Sequence, residues 1–275
     1  MNRILVMVKQ VPATENVRLD AQTGTMIRAG LETVINPLDL YAVEEAVRLK
    51  EAADSDLRVD VLSMGPPQAS EAVREAIAMG CDHGFLLCGQ EFAGADTWAT
   101  AYALARGIAT LGVFDLILCG ERATDGETGQ VGPMVGTFLD LPVLTYVSRI
   151  EQIEGRALVA HRAVEGGCEV VRTSLPALLS VVKEINEPRL PTLAGKKRAR
   201  RADVAVLGAR EIGADQQCLG LTGSPTRVVK VFYPTLTRTG RIVSTETESV
   251  DACVSELVDL LKSLAIREEG GRELK

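Results

Sequence analysis

Three short apolar runs, Ile4 to Val8, Val59 to Ser63 and Leu116 to Cys119, are bounded by polar or glycine positions and separated by stretches of helical periodicity. Unalternating runs of that length mark strands covered on both faces, as in a parallel sheet flanked by helices. After Asn36-Pro37, the positions Leu40, Val43, Ala46 and Val47 recur at three-to-four spacing, and Gln68 to Met79 and Asp96 to Thr110 repeat the pattern. A fourth run, Phe85 to Cys88, fits between the last two helices. The β-α-β-α-β-α-β order with right-handed crossovers predicts a Rossmann-like, doubly wound α/β fold with a mostly parallel sheet.

From Ser148 the texture changes. Arg149 to Ile153, Ala157 to Arg162 and Cys168 to Arg172 are broken by Glu154-Gly155 and Glu165-Gly166-Gly167, a pattern that predicts added antiparallel strands. Pro176 to Val182 reads as a further apolar strand, and Asn186-Glu187-Pro188-Arg189-Leu190-Pro191 as an exposed, stiffened loop. Beyond Val206 the chain is glycine-punctuated until an amphipathic helix carrying Val250, Val254, Leu257, Val258, Leu261 and Leu264. This C-terminal arm needs a surface to pack on.

Composition narrows the function. With 46% hydrophobic and 24% charged positions, the 275 residues suffice for one large core. The net charge of −7 argues against a general nucleic-acid binder. No apolar run approaches the roughly 18 residues of a membrane helix, and no charged-then-apolar leader opens the chain, so a cytoplasmic protein without membrane insertion is expected. The six cysteines, at 81, 88, 119, 168, 218 and 253, form no Cys-x-x-Cys pair; free, mostly buried thiols and no metal site are expected. His83 and His161, far apart and beside predicted strands, offer little for a His-centred hydrolase.

In an open parallel sheet, ligands bind at the carboxyl ends of the strands. Met7 to Gln10, Asn36 to Asp39, Ser63 to Gly65 and the long loop Gly120 to Pro133 fall there. The loop's glycines, at 120, 126, 129 and 132, match neither Gly-x-Gly-x-x-Gly nor the Walker A pattern, which disfavours a dinucleotide dehydrogenase or a P-loop enzyme. Amide groups at a helix entry around Gln130 could take a phosphate; a purely structural strand-to-helix turn fits the pattern equally. Asp125 and Glu127 would repel an adjacent phosphate, so a ribose hydroxyl or a loop N–H is the expected partner of Asp125. Asn36 as N-cap, Pro37 at the first helical position and Asp39 as capping-box partner explain that segment structurally, without excluding ligand contact. Lys196-Lys197-Arg198-Ala199-Arg200-Arg201 lacks interleaved aromatics and reads as a solvated face or a protein-docking loop, with Leu193 as an apolar anchor.

At these residues the sequence resembles the β subunit of electron-transfer flavoproteins almost end to end. The matching segments are Val8 to Pro12, Asn36 to Asp39 leading into Ala42 to Glu51, Met64 to Pro67, Gly94 to Thr97, Leu116 to Gly120 and Asp125 to Pro133. Further on come Arg162, Glu165-Gly166-Gly167, Glu169, Pro176 and Asn186-Glu187-Pro188-Arg189. Single segments are weak; their order is specific.

The resemblance implies a heterodimer in which this subunit holds an adenine nucleotide and the α subunit a redox FAD. In the conventional class the β nucleotide is AMP; in the electron-bifurcating class it is a second FAD. The compact loop, Asp39 and Gly223-Ser224-Pro225-Thr226 resemble the bifurcating class, which implies FAD here, NADH as hydride donor and ferredoxin or flavodoxin as one acceptor. Glu127, Gly129 and Ala93 depart from that class, where aspartate, alanine and glycine are usual. Carried over, the nucleotide contacts are Met7, Asn36, Pro37, Leu38, Asp39, Met64, Asp96, Thr97, Gly120, Glu121, Arg122, Ala123, Thr124, Asp125, Gly126, Thr128, Gly129, Gln130, Val131, Gly132 and Pro133. Pro191 to Arg201 becomes a recognition loop docking onto an acyl-CoA dehydrogenase or a quinone oxidoreductase through Leu193, Lys196, Lys197 and Arg198. The implied organisation is a nucleotide-binding domain over 1–206, including antiparallel strands 148–172 and recognition loop 186–201, then an arm over 207–275 packing on the α subunit. Flavin chemistry calls for no catalytic side chain. The rival from another class is a non-redox adenine-nucleotide-binding regulatory protein.

Overall fold

The computed structural model describes residues 1–13, 32–53, 56–229 and 249–269. Its contacts divide the chain into two units, Met1–Val231 and Phe232–Lys275. In the first, the apolar runs become β1 (Arg3–Met7), β4 (Arg58–Met64), β5 (His83–Leu87) and β6 (Leu116–Gly120), joined through α1 (Pro37–Ala52), α2 (Ser70–Met79) and α3 (Thr97–Leu111). With α4 (Val131–Phe138), β7 (Val143–Glu154), β8 (Ala157–Val164), β9 (Gly167–Ser174), β10 (Ala177–Val181) and β11 (Val204–Leu207), they build a nine-stranded sheet. Its order is β11-β5-β4-β1-β6-β10-β7-β8-β9. The pairs from β11 to β7 are parallel, and β7-β8-β9 is an antiparallel wing.

Period-two alternation divides β1 between two cores. Ile4 and Val6 pack with Ala42, Val43, Ala46 and Val47 of α1 and Val73, Ala76 and Ile77 of α2. Leu5 and Met7 pack with Leu104, Ala105 and Ile108 of α3 and Val135 of α4. Both faces are covered, which is why the sequence shows solid apolar runs here.

Several expectations are corrected. Gln10–Pro12 (β2) and Thr33–Ile35 (β3) form a small antiparallel pair, too short to leave a sequence pattern. β7 begins at Val143, and its first part pairs with β10 in parallel before the chain turns into the wing. The segment expected as recognition loop is helical over Leu193–Arg201 (α5), begun by Thr192, whose Oγ1 accepts from Gly195 N at 3.0 Å. α5 has one buried residue, Ala199, hence no apolar stripe to read; arginines seat it instead. Arg74 donates to the Ala199 and Ala202 carbonyls at 2.8 and 2.7 Å, and Arg198 donates to the Ile77 and Cys81 carbonyls. A β-carbon at Gly195 would collide with the Ala78 carbonyl oxygen. The first unit also continues past Val206: β11 pairs with β5, a short α6 spans Gly220–Gly223, and Ala209, Ile212 and Leu219 are buried. Of the six cysteines, Cys81 and Cys119 alone are buried, and Cys168 is exposed.

The second unit contains α7 (Val250–Glu269). Val250, Val254, Leu257, Val258 and Leu261 are exposed on it; the side chain of Leu264 lies outside the described residues.

Candidate functional site

The strand order reverses beside β1. From it the chain moves outward through β4 and β5, then crosses back to β6 on the other side of β1. The carboxyl ends of β1 and β6 therefore frame a crevice at a topological switch point, the usual ligand position in open α/β sheets. Met7 ends β1, Gly120 ends β6, and Met64 ends the neighbouring β4. The expected residues Asn36 to Asp39 and Glu121 to Pro133 gather at the same edge.

Their side chains work differently from the expected capping box. Asn36 makes no side-chain cap on α1. Its Nδ2 donates to the Arg122 carbonyl at 2.9 Å and its Oδ1 accepts from Thr124 N at 3.2 Å, tying the loop to the helix entry. Asp39 accepts from Lys9 N at 2.8 Å and Gly120 N at 3.2 Å, so one carboxyl bridges the ends of β1 and β6. Burial pushes that carboxyl up to about 7, against the lowering pull of the Lys9 and Gly120 amides, the Asn36 side chain and the Lys9 charge. Gly120 permits the approach: a β-carbon there would lie 2.6 Å from Asp39 Oδ1 and 2.7 Å from the Leu38 carbonyl carbon.

Asp125 does not turn to a loop amide. Its Oδ1 pairs with Lys9 Nζ at 2.6 Å, and Glu121 pairs with Arg122 at 2.8 Å. Two of the loop's negative charges are thus matched within the protein, which reduces the expected repulsion of an anion. Lys9 was not among the expected contacts; its place just after β1 was the available signal. Gly126 and Glu127 both donate to the Ala123 carbonyl, and Glu127 and Gly129 have φ of 52° and 62°. These left-handed residues keep the backbone from joining a helix before Gln130. At α4 the first-turn amides of Val131 and Gly132 have no intrahelical acceptor, and Pro133 has no amide to satisfy. A β-carbon at Gly126 would meet nothing within 4 Å, so the loop stands open there.

Thr97 Oγ1 donates to Gln130 Oε1 at 3.0 Å, joining the entries of α3 and α4. Asp96 is occupied structurally: it accepts from Ala99 N as N-cap and from Thr226 N and Oγ1, while its own amide donates to Ser224 Oγ. Asp96 thereby holds Ser224 and Thr226 near the edge, a link between distant segments invisible in sequence. Tyr146, also unforeseen, has φ of 58°, and its hydroxyl would lie 3.7 Å from a β-carbon on Gly129. Beneath the loop Cys119 is buried; desolvation first and the Asp39 charge second push its thiol far above the usual range, so it is an inert thiol.

The set offers backbone donors, hydroxyls and balanced charge, suited to a phosphorylated, hydroxyl-rich ligand, and no paired nucleophile and base. Among the described residues no helix is long and apolar enough to cross a membrane, and no three His, Cys, Asp or Glu could hold a metal ion. The residues expected to dock a partner lie apart, on α5. Leu193 is 82% exposed and Lys196 and Lys197 are exposed, whereas the Arg198 guanidinium is spent on the Ile77 and Cys81 carbonyls.

Comparison with known proteins gives a consistent match. The electron transfer flavoprotein domain model matches residues 23–211. The chain is 45% identical over 261 residues to the electron transfer flavoprotein subunit beta of Thermoanaerobacterium thermosaccharolyticum, covering 94% of this chain and 98% of that protein. It is 41% identical over 264 residues to the electron transfer flavoprotein subunit beta of Megasphaera elsdenii, covering 94% and 97%. It is also 42% identical over 260 residues to the caffeyl-CoA reductase-Etf complex subunit CarD of Acetobacterium woodii, covering 94% and 98%.

Proposed function

This chain belongs to the electron transfer flavoprotein β-subunit family, and on that premise we propose that it holds FAD at the β1–β6 edge and acts with its α subunit in flavin-based electron bifurcation. As a β subunit it pairs with an α subunit and takes part in electron transfer. The observation that carries the finer reading is the loop after β6, locked by Asn36, Asp39 and the Lys9–Asp125 pair at the switch point of the sheet. Bound flavin supplies the redox chemistry. The protein's part is to bind and position: Val131 and Gly132 amides for phosphate, Thr128 and the loop backbone for hydroxyls, and Met7 and Met64 for apolar contact. The resemblance of the compact loop and of the Ser224 to Thr226 segment, held by Asp96, to the bifurcating class supports FAD. NADH is then the proposed donor, with ferredoxin or flavodoxin as one acceptor.

The second reading, a conventional subunit with structural AMP, rests on Glu127 and Gly129, which depart from the bifurcating pattern inside the loop. In either reading α5, with Leu193 as anchor and Lys196 and Lys197 as exposed cations, is the proposed docking surface for an acyl-CoA dehydrogenase or a quinone oxidoreductase. Opposite charge on the partner would raise the association rate. The exposed apolar residues of α7 are the proposed contact with the α subunit.

Anaerobic co-purification with the α subunit and chromatography of the released nucleotides test the reading. Two FAD per heterodimer is the expected result; one FAD and one AMP selects the second reading. A colourless protein that holds neither α subunit nor nucleotide would overturn both.

A further inference from the structure

On the antiparallel wing, away from the β1–β6 edge, three side chains from three successive strands lie in line. His161 Nε2 is 2.8 Å from Glu151 Oε2, and His161 Nδ1 is 3.8 Å from Cys168 Sγ. Strand register brings them together. Cys168 is paired with Ala163, and His161 is two residues before Ala163, hence on the same face. Such diagonal neighbours are within reach of long side chains, and the small Ala163 methyl leaves the path open. The β7–β8 register shifts between Ile150 and Gln152, so Glu151 lies at an irregularity of the ladder. Among the described residues, Cys168 is the only cysteine bonded to an imidazole.

We propose that Cys168 is a thiol-modification site for hydroperoxides, with His161 as its base and Glu151 as the group that orients the base. The Glu151 carboxylate accepts Nε2–H, which leaves Nδ1 free to take the thiol proton. The exposed sulfur then attacks a peroxide oxygen: an S–O bond forms as the O–O bond breaks. Sulfur is oxidised by two electrons, and the departing oxygen carries them off and takes the proton back from His161. A sulfenic acid and water, or an alcohol from an organic hydroperoxide, are the products. Exposure gives the oxidant access, and the relay supplies the proton transfers that an isolated surface thiol lacks. Glu169 and Arg162, paired at 3.3 Å, are opposite each other in the ladder on positions that alternate with Cys168 and His161, so they point to the other face.

The test uses the purified heterodimer, hydrogen peroxide and dimedone trapping of sulfenic acid, with peptide mass spectrometry and Cys218 as internal reference. H161Q is expected to slow Cys168 labelling by about tenfold or more, and E151Q by a smaller factor, while Cys218 labelling and flavin content stay constant. C168S abolishes the signal and leaves flavin content unchanged. Equal Cys168 rates in wild type and H161Q, or no labelling of Cys168 in the wild-type heterodimer, would overturn the proposal; a rate unaltered in E151Q removes Glu151 from it.

Discussion

Lys9 Nζ and Asp125 Oδ1 lie 2.6 Å apart although 116 positions separate them, and this pair joins the chain leaving β1 to the loop leaving β6. The Asp125 side chain is 7% exposed and that of Lys9 44%, so the carboxylate depends on the ammonium more than the reverse. K9M, which strands a buried charge, should cost about 1 kcal/mol after discounting for solvent screening. D125N, which removes that charge, should cost less. Urea unfolding of both variants checks the order, and hydrogen exchange at residues 123–127 should quicken in both.

Gly120→Ala should be far more damaging. Its β-carbon would meet the Leu38 carbonyl carbon and oxygen at 2.7 and 2.8 Å, backbone that cannot swing aside. Separating the α1 entry from the end of β6 should cost about 1–3 kcal/mol, as overpacking does, and should break the Asp39 bridge. Chemical denaturation measures the loss; released nucleotide should fall with it.

Asp39 makes stability depend on pH. Its folded carboxyl is raised by burial to about 7 from an ordinary 3.8. Between those values the folded protein carries a proton that the unfolded chain has released, so stability falls as pH rises through the window and levels off above it. In D39N this slope should vanish. Denaturation midpoints from pH 5 to 8 should decline in the wild type relative to D39N; parallel curves would refute the assignment.

Arg189 spans Glu44 and Glu51, accepting partners on α1: its Nε and Nη2 donate to Glu44 at 2.8 and 3.0 Å, and its Nη1 and Nη2 to Glu51. The bidentate Arg189 bonds, first, then desolvation against and the Arg189 and Lys50 charges for ionisation, hold the Glu51 carboxyl below its usual range. Glu44 is buried and Glu51 exposed. R189M should therefore cost about 3–5 kcal/mol by leaving the buried Glu44 carboxylate without its cation, with the amide of residue 189 still donating to it, while E51Q should cost about 1 kcal/mol or less. Thermal unfolding separates the two.

Leu257→Asp tests the arm. Leu257 is 56% exposed, so the change should leave the unfolding midpoint of the isolated chain unchanged while lowering recovery of the heterodimer on co-expression. Recovery equal to wild type would remove α7 from the proposed contact.

What could be read in advance divides along physical lines. β1, β4, β5 and β6 were legible because burial on both faces demands unbroken apolar runs, and α1 to α3 because each lays one stripe on the sheet. α5 carries no helical signature in the sequence because arginine-to-carbonyl bonds, rather than apolar burial, seat it on α2. Glu44 and Glu45, buried within α1, interrupt its expected polar side because Arg189 and Asn186 come from 145 and 141 positions away to satisfy them.

At the candidate site, the segments were visible in the sequence and their bonding was not. Asn36, Asp39 and Asp125 announce polar chemistry at strand ends, yet local rules made a capping box of the first two and left the third a ligand partner. Chain order alone determined the doubly wound topology, and with it the edge where a ligand would lie, because periodicity and crossover handedness are local properties. Tertiary structure alone decided that Asp39 bridges two strands, that Lys9 neutralises Asp125, and that Cys168 meets His161. The first two join segments 81 and 116 positions apart and the third depends on strand register within a hairpin, and hydrogen bonds and ion pairs act only once such groups lie within about 4 Å.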